Sequence, residues 1–430
     1  MALTQAGTQA YVFLKIQNGP DLSQYVRSFK WKSFINNGYT ISARLIDVNL
    51  SNLEKLTNQV QLKEGRNTKI PLKIEFQLGF NIFSESEEPK TEKRIAYVTN
   101  LDAKIPSGEQ TSSYIDIIAI DPPTWYLNRG RGDGSVYEGS VSDVIKKVIN
   151  DYSKDADLGN KPGVIKPIIS NTIDNKVNKW HMMRQDPKTF ISTLLDWSSS
   201  LTTKETNWVV ASVDERIIIR EQAELETSDL GEYAVNTQYP GAQNVMKWER
   251  LDNNYLSNVQ TRVITGGISA ISGLYCSSDN SITEDLTTVD DDNTQNKKNV
   301  DLIRDQGFTK PTNKQDGITF VRSVPEDSAG AVGTQYQNYI DGRARSMYLG
   351  SLDTLQRLMI RTIGTPKLSD SSVLGASTVM LNWQKDDDSP FSHQGKWLVY
   401  GFEHVFTNQQ WFTQIYLNRK DFDAAAQKVN

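Results

Sequence analysis

The feature that most constrains this chain is a pattern written twice. Residues 395–421 read GKWLVYGFEHVFTNQQWFTQIYLNRKD, two runs of alternating apolar and polar residues about a short polar turn. Alternation with a period of two is what a half-buried strand requires. Residues 94–121, RIAYVTNLDAKIPSGEQTSSYIDIIAID, follow the same plan: a strand, a polar turn, a strand containing Ser or Thr, then Asp. Ile115 and Ile117 stand where Ile415 and Leu417 stand, and the earlier turn is the longer one. A second echo lies upstream of each hairpin. LKIQNG at 14–19, followed by Leu22 and Ser23, matches LMIRTIG at 358–364, followed by Leu368 and Ser369. Two echoes in the same order predict two β domains of one design, one at each end of the chain.

Between them the period changes. Ser140 and Asp143 have capping-box spacing, and Val141, Val144, Ile145, Val148, Ile149 and Tyr152 then recur at helical intervals. Asp186 followed by Pro187 is an N-cap with proline at the first helical position; Phe190, Ile191, Leu194 and Leu195 form the apolar stripe behind it. Residues 208–213 and 216–220 read as a β-hairpin. The predicted fold is therefore mainly β with an α+β middle: a first β-barrel over 1–122, an α+β domain over 123–245, and a second β-barrel over 246–430. Residues 277–317 are rich in Ser, Asp, Asn, Thr and Lys; such a stretch offsets little of its ordering entropy by burial and reads as a long mobile loop. Residues 333–347 read as a helix.

Charge and composition remove several function classes. The formal net charge is −5, which argues against a protein held on nucleic acid by a basic face. One cysteine, Cys276, allows no intrachain disulfide framework and points to synthesis in a reducing compartment. The N-terminal residues lack the basic and apolar regions of a secretory signal, and no apolar run is long enough for a membrane helix, so no stable membrane insertion is expected. His181, His393 and His404 are the only histidines. No H-E-x-x-H, zinc-spaced Cys/His cluster or G-x-S-x-G is present. The segment 130–135, GRGDGS, lacks the G-K-[ST] ending of a phosphate loop and reads as a flexible linker; the acidic run near 290 lacks the glycine and glutamate of a calcium loop. Asp186 and Asp196 lie too far apart to work as a carboxylate pair. No catalytic, cofactor or metal residue is assigned, and a non-enzymatic role is expected.

The order β, α+β, β now combines with three local signatures: GSVSDVIKKVI at 139–149, RQDPKTFISTLLDW at 184–197, and the closing GKWLVY…H…WFTQIYLNR at 395–419. Together these resemble the baseplate hub proteins of contractile-tailed phages, the adaptors between tail tube and spike. The same module forms the N-terminal part of the valine-glycine-repeat spike proteins of type VI secretion. The resemblance covers most of the chain outside 277–317. It implies a homotrimeric ring in which two barrels per chain give six similar units, so that a three-fold particle stacks on a six-fold tail tube and leaves a channel for DNA in transit. The implied partners are the tail tube protein, other baseplate proteins and a central spike. No Val-Gly octapeptides and no lysozyme-like segment follow residue 421, so the spike is expected to be a separate protein. The implied location is the tail baseplate of a virion assembled in the bacterial cytoplasm. The acidic balance suits a bore through which DNA slides without being held.

In that setting the closing hairpin is structural. Phe402, His404, Trp411 and Arg419 are the candidates for packing or contact with a neighbouring subunit. Two other readings stand beside this one: a carbohydrate-binding or polysaccharide-degrading tail protein, for which the aromatics would supply sugar platforms, and the equivalent hub of another injection device.

Overall fold

The computed structural model describes residues 9–17, 19–46, 52, 72–81, 90–104, 113–128, 130–132, 134–154, 163–173, 178–196, 198, 200–202, 208–221, 229–235, 242–251, 268–276, 281–289, 318–325, 356–369, 378–383 and 395–419. The first six strands are β1 (Gln9–Ile16), β2 (Val26–Phe34), β3 (Gly38–Ile46), β4 (Lys73–Asn81), β5 (Arg94–Lys104) and β6 (Tyr114–Ile120). They form an antiparallel sheet in the order β1-β4-β5-β6-β3-β2. Alternation sets its inner face: Val12, Leu14 and Ile16 of β1, Ile74, Phe76 and Leu78 of β4, and Ile115 and Ile117 of β6 are all buried.

The later strands are β12 (Asp229–Val235), β13 (Gln243–Arg250), β17 (Gln356–Ile363), β18 (Thr378–Trp383), β19 (Gly395–Thr407) and β20 (Gln410–Arg419), with intervening elements introduced below. They close on themselves as a six-stranded barrel, β12-β18-β19-β20-β17-β13 and back to β12. Taken in chain order, the first, fourth, fifth, sixth, third and second strands are neighbours in both groups. The topology is therefore used twice. Every neighbouring pair is antiparallel in both groups except those of β12, which runs parallel to β18 and β13, whereas β1 is antiparallel to β4.

This correspondence matches β5–β6 with β19–β20, as the hairpin echo predicts. It does not match the upstream echo. β1 and β17 both lead into a short 3-10 turn with a buried leucine, Leu22 and Leu368, but β17 holds the place of β3. Similar strand-and-turn chemistry reports which side chains face inward; it says nothing of which strand lies alongside. The barrel also draws β12 and the start of β13 from chain preceding residue 246.

The two groups are one sheet. β19 pairs with β18 through residues 395–398, passes a bulge at Tyr400, and pairs with β2 through residues 401–407. β1 and β2 do not pair with each other; the tip of the β19–β20 hairpin lies between them, and the Ala10 N–H donates to the Gln409 carbonyl at 3.2 Å. The core runs through both groups without a break, with Trp31, Trp397 and Trp411 among its largest fully buried side chains. Each fully buried large apolar side chain contributes on the order of 1.5–3 kcal/mol.

The middle holds α1 (Pro122–Leu127), β7 (Val136–Gly139), α2 (Val141–Tyr152), β8 (Lys166–Ile169), β9 (Asn178–His181), α3 (Pro187–Asp196), β10 (Trp208–Val213) and β11 (Arg216–Glu221). Its caps are side chains: Ser140 Oγ accepts from the Asp143 N–H, and Asp186 Oδ1 accepts from the Thr189 N–H at 2.8 Å. The stripes of α2 and α3 pack with Trp125, Ile217 and Ile219 in a second core. Residues 130–132, 134 and 135 are held in place: the Gly132 N–H donates to Gln185 O, Tyr152 Oη donates to Arg131 O, and His181 Nε2 lies 2.9 Å from Gly134 O. A Cβ on Gly132 would sit 2.0 Å from Met183 O, so this glycine serves close approach.

The β10–β11 hairpin docks the middle onto the first sheet. Its turn residue Asp214 accepts the Ile95 N–H and faces buried Arg94 at 3.4 Å, and Glu215 takes Lys73 at 2.8 Å and Tyr97 Oη at 3.1 Å. At its other end, Asn36 and Val210 exchange two hydrogen bonds. Between β13 and β17 the backbone forms a separate three-stranded sheet of β14 (Ile268–Cys276), β15 (Ser281–Val289) and β16 (Ile318–Pro325). β15 falls in the stretch expected to be a loop. Its β-branched residues, Ile282, Thr283, Thr287, Thr288 and Val289, favour extended backbone, a signal that a count of large apolar residues misses. The expected helix at 333–347 lies outside the described residues.

Candidate assembly surface

Side chains of the closing hairpin divide cleanly between two faces. Phe402, His404 and Phe406 point inward from β19, opposite Trp31 and Phe29 of β2 and Ile415, Thr413 and Trp411 of β20. All are buried. His404 is fully enclosed, its ring 4.8 Å from Phe402, 5.2 Å from Trp31 and 5.3 Å from Trp411. The Trp411 indole N–H donates to His404 Nδ1 at 3.2 Å, which leaves the ring proton on Nε2. Thr413 Oγ1 also lies 2.9 Å from Nδ1. Burial pushes the His404 pKa down to about 3, so the ring is neutral and structural.

Three of the residues singled out from the sequence, Phe402, His404 and Trp411, thus meet inside the chain, where they join the two β groups; they present no surface to a neighbour. Arg419 ends β20, and its side chain lies outside the described residues. Aromaticity alone does not say which face is covered, or by which chain.

The opposite face of the same strands is partly exposed: Lys32, Thr40 and Lys247 are exposed, whereas Glu403 and Met359 are buried. Cross-strand partners share a face, so the register can be followed outward from Glu403: to Lys32, Thr40 and Ile120 on one side, and to Gln414, Arg361 and Lys247 on the other. One row lower, Ser42, Ile118 and Asn100 continue it to β5. Eight strands, β5-β6-β3-β2-β19-β20-β17-β13, contribute to one face that crosses both groups. Where it nears α1, the middle domain covers it at Tyr97 and Ile120; elsewhere it carries charge.

That charge is mixed and largely paired. Glu403 binds Lys30 at 2.7 Å, with Lys32 at 4.0 Å. Arg44 chelates Asp116 through Nε and Nη2 at 2.7 and 3.0 Å, and this bond holds the Asp116 carboxyl below its usual range. Lys104 adds a contact to Asp116 at 3.1 Å. Tyr416, raised to about 12 by burial and then by Glu403, lies with Phe34 and Tyr400 in a half-buried aromatic cluster above the bulge. Lysines and arginines outnumber carboxylates here, so the chain's overall acidity is not repeated on this face.

Among the described residues, no three His, Cys, Asp or Glu side chains come together as metal ligands. A cavity of about 150 Å³ between α1, α3 and β10 is floored by Leu127, Ile191, Leu195 and Trp208, with Lys188 and Asp196 at its rim; its lining contains neither histidine nor cysteine. No described helix is long and apolar enough to cross a membrane.

No family model matches the sequence, and no curated protein matches it. Solved structures do. The tail protein from Neisseria meningitidis MC58 is 8% identical, with a TM-score of 0.55 over 97% of this chain and 99% of that one. The 43 kDa tail protein of prophage MuSo2 from Shewanella oneidensis is 9% identical, with a TM-score of 0.55 over 96% and 99%. An E. coli component of the type VI secretion system aligns at 10% identity over 95% of this chain and 78% of its own, with a TM-score of 0.47. Over nearly its whole length, then, this chain is similar in fold to two tail proteins, one of them from a prophage.

Proposed function

We propose that the chain is the structural baseplate hub of a contractile tail: a homotrimeric, pseudo-six-fold ring that joins a six-fold tail tube to a three-fold central spike and leaves a channel for DNA. The observation that carries this reading is the repeated strand order. One chain supplies two six-stranded groups of the same topology, fused through β19 and β2. Three copies then offer six similar units, which is what a three-fold to six-fold junction needs. The fold shared with two tail proteins agrees with this reading. The eight-strand face is suited to line the channel: several of its lysines and arginines are paired with carboxylates, which interrupts the basic charge it offers to DNA.

The test is the mass of the purified protein by light scattering, together with an image down its axis. The expected particle is a trimer, three-fold outside and nearly six-fold within. A protein that stays monomeric alone and in the presence of its tail tube and spike overturns the reading.

A further inference from the structure

The cavity between α1, α3 and β10 lies where the middle domain meets the first sheet, and the turn between β2 and β3 contributes to its lining. Its floor residues Leu127, Ile191, Leu195 and Trp208 are themselves buried. Close-packed interiors leave few spaces of this size. At about 150 Å³ it accommodates one ring or branched chain of about six carbon atoms. Lys188 lines the same cavity, half-buried, and makes no ion pair among the described residues. An ammonium partly withdrawn from water gains more from a nearby anion than a fully hydrated one does.

We propose that this cavity is a binding site for a small apolar carboxylate, with the hydrocarbon part seated on Leu127, Ile191, Leu195 and Trp208 and the carboxylate at Lys188 Nζ. An apolar floor with one polar group that sets orientation is how ligand pockets are built, and they concentrate at domain junctions. Asp196 distinguishes the two ends of the rim. It lies two turns beyond Lys188 on α3, about 12 Å along the helix, and carries like charge to the ligand. The anion is therefore held at the Lys188 end. A ligand seated here touches the first sheet and the middle domain together, so occupancy stabilises their junction. Two sources offer the same chemistry: a free acid, and the C-terminal residue of a polypeptide that ends in an apolar side chain. The site is independent of the ring and of the spike.

Ligand-observed NMR titration of the full chain tests this, with benzoate as the probe and benzyl alcohol as its neutral counterpart. Benzoate is expected to bind with a Kd on the order of 1 mM, and the alcohol about tenfold more weakly. Lys188→Met should bring benzoate down to the level of the alcohol and leave the alcohol unchanged. In thermal unfolding, benzoate should raise the Tm of the wild type and not that of Lys188→Met. Binding of benzoate that survives Lys188→Met at full strength, equal binding of the two probes, or binding of neither overturns the proposal. A tripeptide ending in leucine with a free carboxylate, compared with its amide, separates the sources. A peptide that outbinds benzoate, and loses this when amidated, supports a polypeptide terminus; benzoate as the tighter ligand supports a free acid. A monomer that binds benzoate keeps this site and removes the hub reading, and a trimer that binds neither probe does the reverse.

Discussion

His404 gives the sharpest numerical test of how the two β groups are joined. Its ring is fully enclosed by Trp31, Phe402 and Trp411, and burial takes its pKa from 6.5 to about 3. Below pH 6.5 the unfolded ring takes a proton that the native ring refuses, so the unfolded state binds more protons and stability falls as pH falls. The loss spans pH 6.5 to about 3. It approaches about 1.4 kcal/mol per pH unit, and about 5 kcal/mol over the whole window. Carboxylates also titrate in this range, so the comparison is with His404→Gln, which keeps an acceptor for the Trp411 N–H and does not titrate. At pH 7.5 the variant should be less stable by about 1–2 kcal/mol, from an imperfect fit to Trp411 and Thr413. By pH 4.5 the wild type should have lost about 3 kcal/mol more than the variant, enough to erase or reverse the difference. Urea unfolding followed by tryptophan fluorescence, at one protein concentration across the pH series, measures this. Two stability curves that fall in parallel from pH 7 to 4.5 would refute the claim that a neutral His404 is locked in the seam.

Two substitutions test the contacts that hold the middle to the first sheet. Gly38 has φ +72°, and a Cβ there would lie 2.2 Å from Asp121 Oδ2, which accepts the Tyr39 N–H; Gly38→Ala should cost about 2–4 kcal/mol by thermal or urea unfolding, and a neutral result would mean that the turn relaxes freely. Asp214→Ala removes a partner of Arg94, whose side chain is 3% exposed, and the acceptor of the Ile95 N–H; about 3 kcal/mol should be lost in the same assay, recovered in large part by also replacing Arg94 with Met.

How much of this was legible in the sequence depends on whether the signal was local. The caps at Ser140 and Asp186, the stripes of α2 and α3, and both hairpins could be read because each is set by a few neighbouring residues. The repeated design was visible in β5–β6 and β19–β20, whose alternation records one buried face in each. The likeness of β1 to β17 misled, because both satisfy the same strand-to-turn chemistry in different places in the sheet. β12 was invisible: it is short, reversed relative to β1, and recognisable only through its partners β18 and β13. Gly130–Ser135 shows the ambiguity of glycine, which permits either freedom or close approach; here Met183 and Tyr152 decide for the second. At the candidate surface, Phe402, His404 and Trp411 looked available because a lone hairpin must bury one face somewhere. Only the pairing of β19 with β2 shows that the same chain supplies the cover.

The continuous backbone of β19 also decides where such a particle can yield. A strand that leaves one barrel at Tyr400 and is zipped to β2 for seven residue pairs makes a stiff spar, not a hinge. In the three-copy ring proposed above, the corners within each chain would therefore be braced, leaving the corners between chains as the places to slip. Under load, strain in such a ring would gather at those intermolecular corners, and the ring would part, if it parts, into whole chains.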